Sequence, residues 1–328
     1  MLLLPLLVSL TGVVELPPSA ISALDQGEFR ATPAGFRIIA LSHLADGCTA
    51  QFADDSAGAR SCVERAYARA LTTRPKDARL DDGQHGLWLT HLALILGDGD
   101  RTGPCLDERV HRQVANGLAR ASLADPMAHA PSYPGRKERW PADQAATLAA
   151  LARFGTAHGG RLLSEPLSHY LSTVVRTSAV DDNLPRSEIH GYGTGKLPRG
   201  CALSYSLRYL AEIDPMIPRT WWEQYQERYL VDRGLLVGFR EWPPGVDRKA
   251  DVDSGPIVAG VGAAATAFGI ATARAMGDRV LAARLEATAD LVAVAASADA
   301  ATARAAGSTL AEAIRFQAAH QPSYARPN

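Results

Sequence analysis

Aromatic side chains are scarce in this 328-residue chain. Phe, Tyr and Trp make up only 6% of it, which weighs against a long sugar-binding cleft paved with stacked rings. Charge imbalance is equally slight. The formal net charge is −1, no long block of one sign occurs, and no motif of a nucleic-acid reader is present, so neither nucleic acid nor an anionic membrane is an expected partner. Cysteine is limited to four residues, with no Cys-x-x-Cys pair and no Cys/His run at zinc spacing. That spacing argues against a structural zinc site, and no metal or cofactor is expected. Gly-x-Ser-x-Gly is absent, so no nucleophile elbow stands out. The Gly-x-Gly at 260–262 has no preceding strand or later ribose-binding acid to make it a dinucleotide fingerprint.

What the chain does have is helical periodicity. Composition is that of a globular protein, 47% hydrophobic and 21% charged, long enough for one large domain or two ordinary ones. Alternating strand patterns are confined to short pieces such as Leu235–Phe239. Helices read over 35–52 and 61–71, 85–96 and 106–123, 141–154 and 165–176, 201–211 and 218–230, 255–276 and 279–296, and finally 308–319. Pro141 and Pro218 stand at helix starts, as their fixed φ favours. Gly97-Asp-Gly-Asp100 and Gly277-Asp278 read as corners. Five helical hairpins and a partial sixth predict an all-α fold, an (α/α) toroid of about five to six hairpins with long loops at a central cleft. An ordinary helical bundle is the alternative.

Residues 1–23 read as a signal or anchor segment ahead of a single toroid domain over 24–328. The run from Met1 to Val14 is apolar but lacks a basic n-region, and Ala20-Ile-Ser22 offers a processing site. The run is short for a membrane span. Cys48 and Cys62 flank a polar turn between two helices, where a disulfide staple is geometrically reasonable and points to export. Cys105 and Cys201 either pair or stay free.

Three long loops concentrate the unusual residues, which is where a rigid scaffold places chemistry. The first, Ser132-Tyr-Pro-Gly-Arg-Lys-Glu-Arg-Trp-Pro-Ala-Asp143, sets Trp140 before a helix and Asp143 in its first turn. Asp143 fits an acid or base at the cleft mouth, or simply a carboxylate favoured by free helix amides. The second, 185–201, is glycine-rich but lacks the Gly-Lys-Ser/Thr ending of a phosphate loop. It offers Glu188, His190, Tyr192 and Arg199, with Glu188 and His190 on one side if extended, and His190 titrating near neutrality. Cys201 follows at a helix start, where a thiolate is stabilised, although burial or pairing explains it as well. The third, 236–255, offers Arg240 and Glu241 as a clamp for an oxygen-rich ligand and Trp242 as a wall. Its Asp251 and Asp253 would share a side, and Ser254 reads as the N-cap of a helix from Gly255-Pro256.

Trp140-Pro-Ala-Asp143, Arg199-Gly-Cys-Ala-Leu-Ser-Tyr205 and Asp253-Ser-Gly-Pro256 resemble bacterial proteins related to linalool dehydratase/isomerase, similar in fold to the (α/α)6 six-hairpin glycosidase group. The resemblance spans Trp140 to Asp278. It implies cofactor-free acid/base chemistry in a central cavity, adding or removing water at an alcohol. Only Cys201 lies in the matching stretch, so a two-cysteine site is not carried over. The reading is an acid/base lyase or isomerase acting on a hydroxylated small molecule. Asp143, Glu188, His190 and Asp253 are its catalytic candidates. Trp140, Tyr192, Arg199, Tyr205, Arg240, Glu241, Trp242 and Asp251 are candidates for binding. A glycoside hydrolase or polysaccharide lyase of the six-hairpin type, acting on a saccharide, is the second enzyme reading. A non-catalytic helical scaffold is the third, with Asp143 a cap and the remaining charges solvated.

Overall fold

The computed structural model describes residues 16–51, 56–178, 183–190, 194–246, 248–296 and 307–325. The fold is all-α, with three small antiparallel strand pairs as its β-structure among these residues. Two kinds of helix recur, and their burial separates them. Helix α4 (Gly86–Thr102) is buried from Gly86 through Gly99, on every side, as befits a helix surrounded by protein. Helix α5 (Glu108–Ala124) buries a single stripe, with Val110, Val114, Leu118 and Ser122 inward, the pattern of a helix with one wet face. Its N-cap Asp107 accepts from the Val110 amide at 2.9 Å, satisfying one of the free first-turn donors.

An alternation of packing runs through the chain. Helices α2 (Arg37–Gln51), α4, α6 (Pro141–His158), α8 (Gly200–Ile213), α10 (Ala263–Ala275) and α12 (Thr309–His320) pack each on the next, and α12 packs back on α2. The packing neighbours thus form a closed cycle of six. Helices α3 (Ser56–Thr72), α5, α7 (Ser164–Thr177), α9 (Arg219–Tyr229) and α11 (Arg279–Ala296) each pack on the ring helix preceding them. Helix α1 (Pro18–Asp25) lies against α3 and α12. It buries Ala20, Ala23 and Leu24, so the processing site read at Ala20–Ser22 lies inside a packed helix; residues 1–15 lie outside the described set. No helix among the described residues is long and apolar enough to cross a membrane. Cys48 and Cys62 form a disulfide joining α2 to α3, with Cα atoms 6.3 Å apart.

Two sequence expectations fail for packing reasons. Gly97-Asp-Gly-Asp100 is not a corner, because α4 continues to Thr102. A Cβ on Gly97 would stand 2.9 Å from the Cβ of Arg153, so the glycine lets α4 and α6 approach closely. Nor does a helix begin at Gly255. Two short strands, Ile257–Val258 and Val261–Gly262, turn through Ala259 and Gly260, both at positive φ, before α10 starts at Ala263. Ser254 is consequently not an N-cap. The first α10 amides are met by backbone instead, Ala263 N by the Pro256 carbonyl at 2.9 Å and Ala264 N by that of Ser254 at 3.1 Å.

The ring is occupied differently along its length. Toward the C-terminal ends of the inner helices a buried ion-pair network fills the interior. Arg153 of α6 donates to Asp46 of α2 and Asp98 of α4, both at 2.9 Å, and to Glu212 of α8 at 2.5 Å. Arg208 of α8 also pairs with Asp46 and donates to Gln321 at 2.7 Å, while Arg101 reaches Asp98 at 3.2 Å. Three guanidinium groups therefore meet three carboxylates, the balance that buried charge requires.

Candidate active site

At the other end, toward the helix N-termini, a cavity of about 670 Å³ opens. All six ring helices reach it through their first halves: Ile39 of α2, Leu87 of α4, Asp143 of α6, Tyr205 of α8, Phe268 of α10 and Ile314 of α12. The walls are mostly apolar. Polar groups enter from the loops Ser132–Trp140, Ser187–Arg199 and Asp251–Gly255, the three stretches where the sequence concentrates its charge.

Asp143 stands in the first turn of α6 but does not cap it. The helix starts with Pro141 after Trp140, without any side-chain cap, and the Asp143 carboxylate accepts from Ser132 Oγ at 2.5 Å. Burial raises its pKa to about 6, the Ser132 hydrogen bond works against that rise, and the charge of Asp253 adds to it. No cation touches it among the described residues. The carboxyl is thus poised to exchange a proton near neutrality. Trp140 lies on the same wall, edge-on to Tyr133 with ring centroids 5.7 Å apart.

Asp251 and Asp253 converge on Arg199. Arg199 Nη2 donates to Asp251 Oδ1 at 2.8 Å, and Nη1 lies 3.8 Å from Asp253 Oδ2. The segment is a turn and not extended: Asp251 Oδ1 also accepts from the amides of Asp253 and Ser254. The two aspartates are therefore unequal. Against burial, the Arg199 hydrogen bond pulls Asp251 below its usual range. Asp253, more weakly paired, is pushed up by burial and by Asp251, while Arg199 and Lys196 oppose the rise.

Arg199 has a third carboxylate partner, Glu241, whose Oε1 accepts from Nε at 2.7 Å. Glu241 is 1% exposed and does not line the cavity. It accepts instead from the Cys201 amide at 3.2 Å and from the Cys201 thiol at 3.1 Å. Gly200 makes this approach possible, since a Cβ there would fall 1.9 Å from the Arg240 carbonyl oxygen. Burial, then the Glu241 charge, drives the Cys201 thiol well above its ordinary pKa despite Arg199 nearby. A helix-stabilised thiolate is therefore not what this residue offers. Arg240 and Trp242 also differ from expectation, because neither lines the cavity. Arg240 sits in a bridge to Val261, and the Trp242 ring is in cation–π contact with the guanidinium groups of Arg199 and Arg248, 4.7 and 5.2 Å from its centroid. A neighbouring backbone position points an adjacent pair to opposite sides, so Arg240 and Glu241 cannot clamp one ligand.

Strand β1 (Glu188–His190) pairs with β2 (Thr194–Lys196) and does present Glu188 and His190 on one side. They contact each other, His190 Nε2 to Glu188 Oε1 at 2.5 Å, while Lys196 Nζ holds Glu188 Oε2 at 2.7 Å. Glu188 lines the cavity, whereas His190 does not. Tyr192 lies outside the described residues. At the inner floor Tyr205 OH meets His91 Nε2 at 3.0 Å, and His91 Nδ1 meets Ser42 Oγ at 2.5 Å. Burial lowers the His91 pKa to about 3, keeping the ring neutral. Sequence reading missed Ser132, Tyr133 and Lys196, though all three lie in loops already singled out. It also missed His91 and Phe268, which carry no local signal because each sits in an apolar helical run. No protein-family model matches the chain, and no curated protein sequence matches it significantly.

Proposed function

We propose that the protein is a cofactor-independent acid/base enzyme that removes water from, or adds it to, a partly apolar alcohol. One observation carries the reading: two carboxyl groups with raised pKa, Asp143 and Asp253, on the wall of one mostly apolar cavity. Asp143 is the proton donor. Its proton goes to the substrate hydroxyl, the C–O bond breaks, and water leaves. Asp253, kept ionisable by Arg199 and Lys196, takes the proton from the adjacent carbon, and that C–H pair becomes the new double bond. The partly exposed Asp253 then returns its proton to solvent, and Asp143 takes one up again to restore the acid form. Neutral Tyr205, held by His91, orients the hydroxyl. The cycle of six ring helices supports an (α/α) toroid around this cavity, and the disulfide supports an exported protein.

The test is turnover of a panel of secondary and tertiary apolar alcohols in D2O, reading alkene formation and deuterium uptake in the reverse direction. Asp143→Asn and Asp253→Asn should each lower kcat by about 10²–10⁴-fold. With Asp143 as the acid, kcat/KM should fall as pH rises through about 6. Wild-type rates in both variants would overturn the assignment. A second reading, glycoside hydrolysis, is favoured by the Tyr133–Trp140 pair on the wall. Sugar release from oligosaccharides, without alkene from any alcohol, would establish it instead.

A further inference from the structure

Outside the cavity, four groups from four parts of the chain meet: Asp100 near the end of α4, Cys105 in the following loop, His111 early in α5, and His158 at the last residue of α6. One donor atom from each lies within 4.8 Å of every other. We infer that Asp100, Cys105, His111 and His158 form a structural zinc(II) site. The donor set is one thiolate, two imidazoles and one carboxylate, which suits a borderline, four-coordinate cation and poorly suits magnesium or calcium. Zinc–ligand bonds of about 2.0–2.3 Å place tetrahedral donor atoms roughly 3.3–3.8 Å apart. The separations here bracket that range, with His158 Nε2 to Asp100 Oδ2 at 2.8 Å, His111 Nδ1 to the same oxygen at 3.1 Å, and Cys105 Sγ to His158 Nε2 at 4.0 Å.

A second observation points the same way. The protein's own groups do not satisfy the cluster. Both imidazoles turn to one oxygen of Asp100, while its Oδ1 is buried with no hydrogen-bond partner. An ion at the centre would replace this contest for one oxygen by four bonds. Charge also closes: one carboxylate and one thiolate neutralise a dication, leaving no net buried charge. The C-terminal ends of α4 and α6 add their negative poles. The Phe154 ring, 4.8 Å from that of His158 and 5.0 Å from that of His111, gives the apolar cover that metal centres use.

All four positions are protein ligands, the closed arrangement of a structural site and not of a catalytic one. Asp143 and His158 lie fifteen residues apart on α6, about 22 Å along the axis, so the ion would tie α4, α5 and α6 together far from the cavity. Local sequence spacing hid the site, since its ligands span 58 residues and include a carboxylate.

The experiment uses the whole protein, stripped with a chelator and titrated with zinc chloride against a chromophoric competitor, then with cobalt chloride. The expected results are one zinc per chain, a higher Tm on zinc addition, and a cobalt spectrum with a thiolate charge-transfer band and intense tetrahedral d–d bands. Cys105→Ser should abolish the charge-transfer band. His158→Ala should weaken zinc more than the 10–100-fold typical of losing an outer partner, that is by about 100-fold or more. No stoichiometric zinc, an octahedral cobalt spectrum without the thiolate band, or wild-type affinity in both variants would overturn the site. The wild-type cobalt spectrum decides the matter even where a variant fails to fold.

Discussion

Two buried aspartates, one at each end of the helix ring, are in opposite states. Asp46, at the C-terminal end, faces Arg208, Arg153 and Arg101, and although burial works to raise its pKa they hold it far below the usual carboxylate range. Asp143, at the N-terminal end, has a serine hydroxyl and another aspartate for company, and burial raises it to about 6. Residue type is the same and burial is common to both; the partner decides. Asp98, between the two in the sense of its partners, is raised to about 7 by burial and by Asp46 although Arg153 and Arg101 oppose the rise, so a cation must outweigh burial to hold a carboxyl ionised. Where a carboxyl is left without a cation beside an open volume, its proton becomes available for chemistry.

The largest effect that would break this contrast is catalytic. Loss of about 10²–10⁴-fold in kcat is expected for Asp143→Asn, against less than tenfold for a change confined to the paired end that leaves the fold intact. Next comes the paired end itself. Arg153→Met leaves Asp46, Asp98 and Glu212 around an uncharged side chain, and urea unfolding should register a loss of about 3–5 kcal/mol. Removing the Cys48–Cys62 bond, which closes a loop with a separation of 14 residues, should cost about 3 kcal/mol. A loss below about 1 kcal/mol would mean the α2–α3 pair needs no staple.

The smallest effect is the most diagnostic, because its sign is opposite. A carboxyl whose folded pKa is raised binds its proton more tightly in the folded state. It therefore costs stability as pH rises from the unfolded value near 3.8 through about 6. Asp143→Asn should stabilise the protein at pH 7 by about 1–2 kcal/mol, allowing for solvent at the cavity wall, and by nothing at pH 3.5. Equal Tm values for variant and wild type at both pH values would mean that Asp143 bears no such burden.

Much of the site was legible because loop composition is local. Asp143, Glu188, Arg199, Tyr205, Asp251 and Asp253, read from three loops and one helix start, all line the same cavity. Glu241, Arg240 and Trp242 were grouped with them by adjacency in sequence, yet backbone alternation and the close approach at Gly200 turn them elsewhere. The corner read at Gly97-Asp-Gly-Asp100 shows the same limit. A glycine signals freedom or closeness, and only the Arg153 side chain packed on it says which.

By itself, then, the amino-acid order determined the helices, their pairing into hairpins, the Cys48–Cys62 proximity and the loops that carry charge. All of these depend on residues a few positions apart, through periodicity, proline geometry and turn length. Only the tertiary structure decided which charges are matched. Arg153 and Arg208 both meet Asp46, across separations of 107 and 162 residues, and the Asp100–Cys105–His111–His158 cluster is drawn from three helices and a loop. A pKa depends on burial and on neighbouring charge, and for this protein both are set by which helices close the ring.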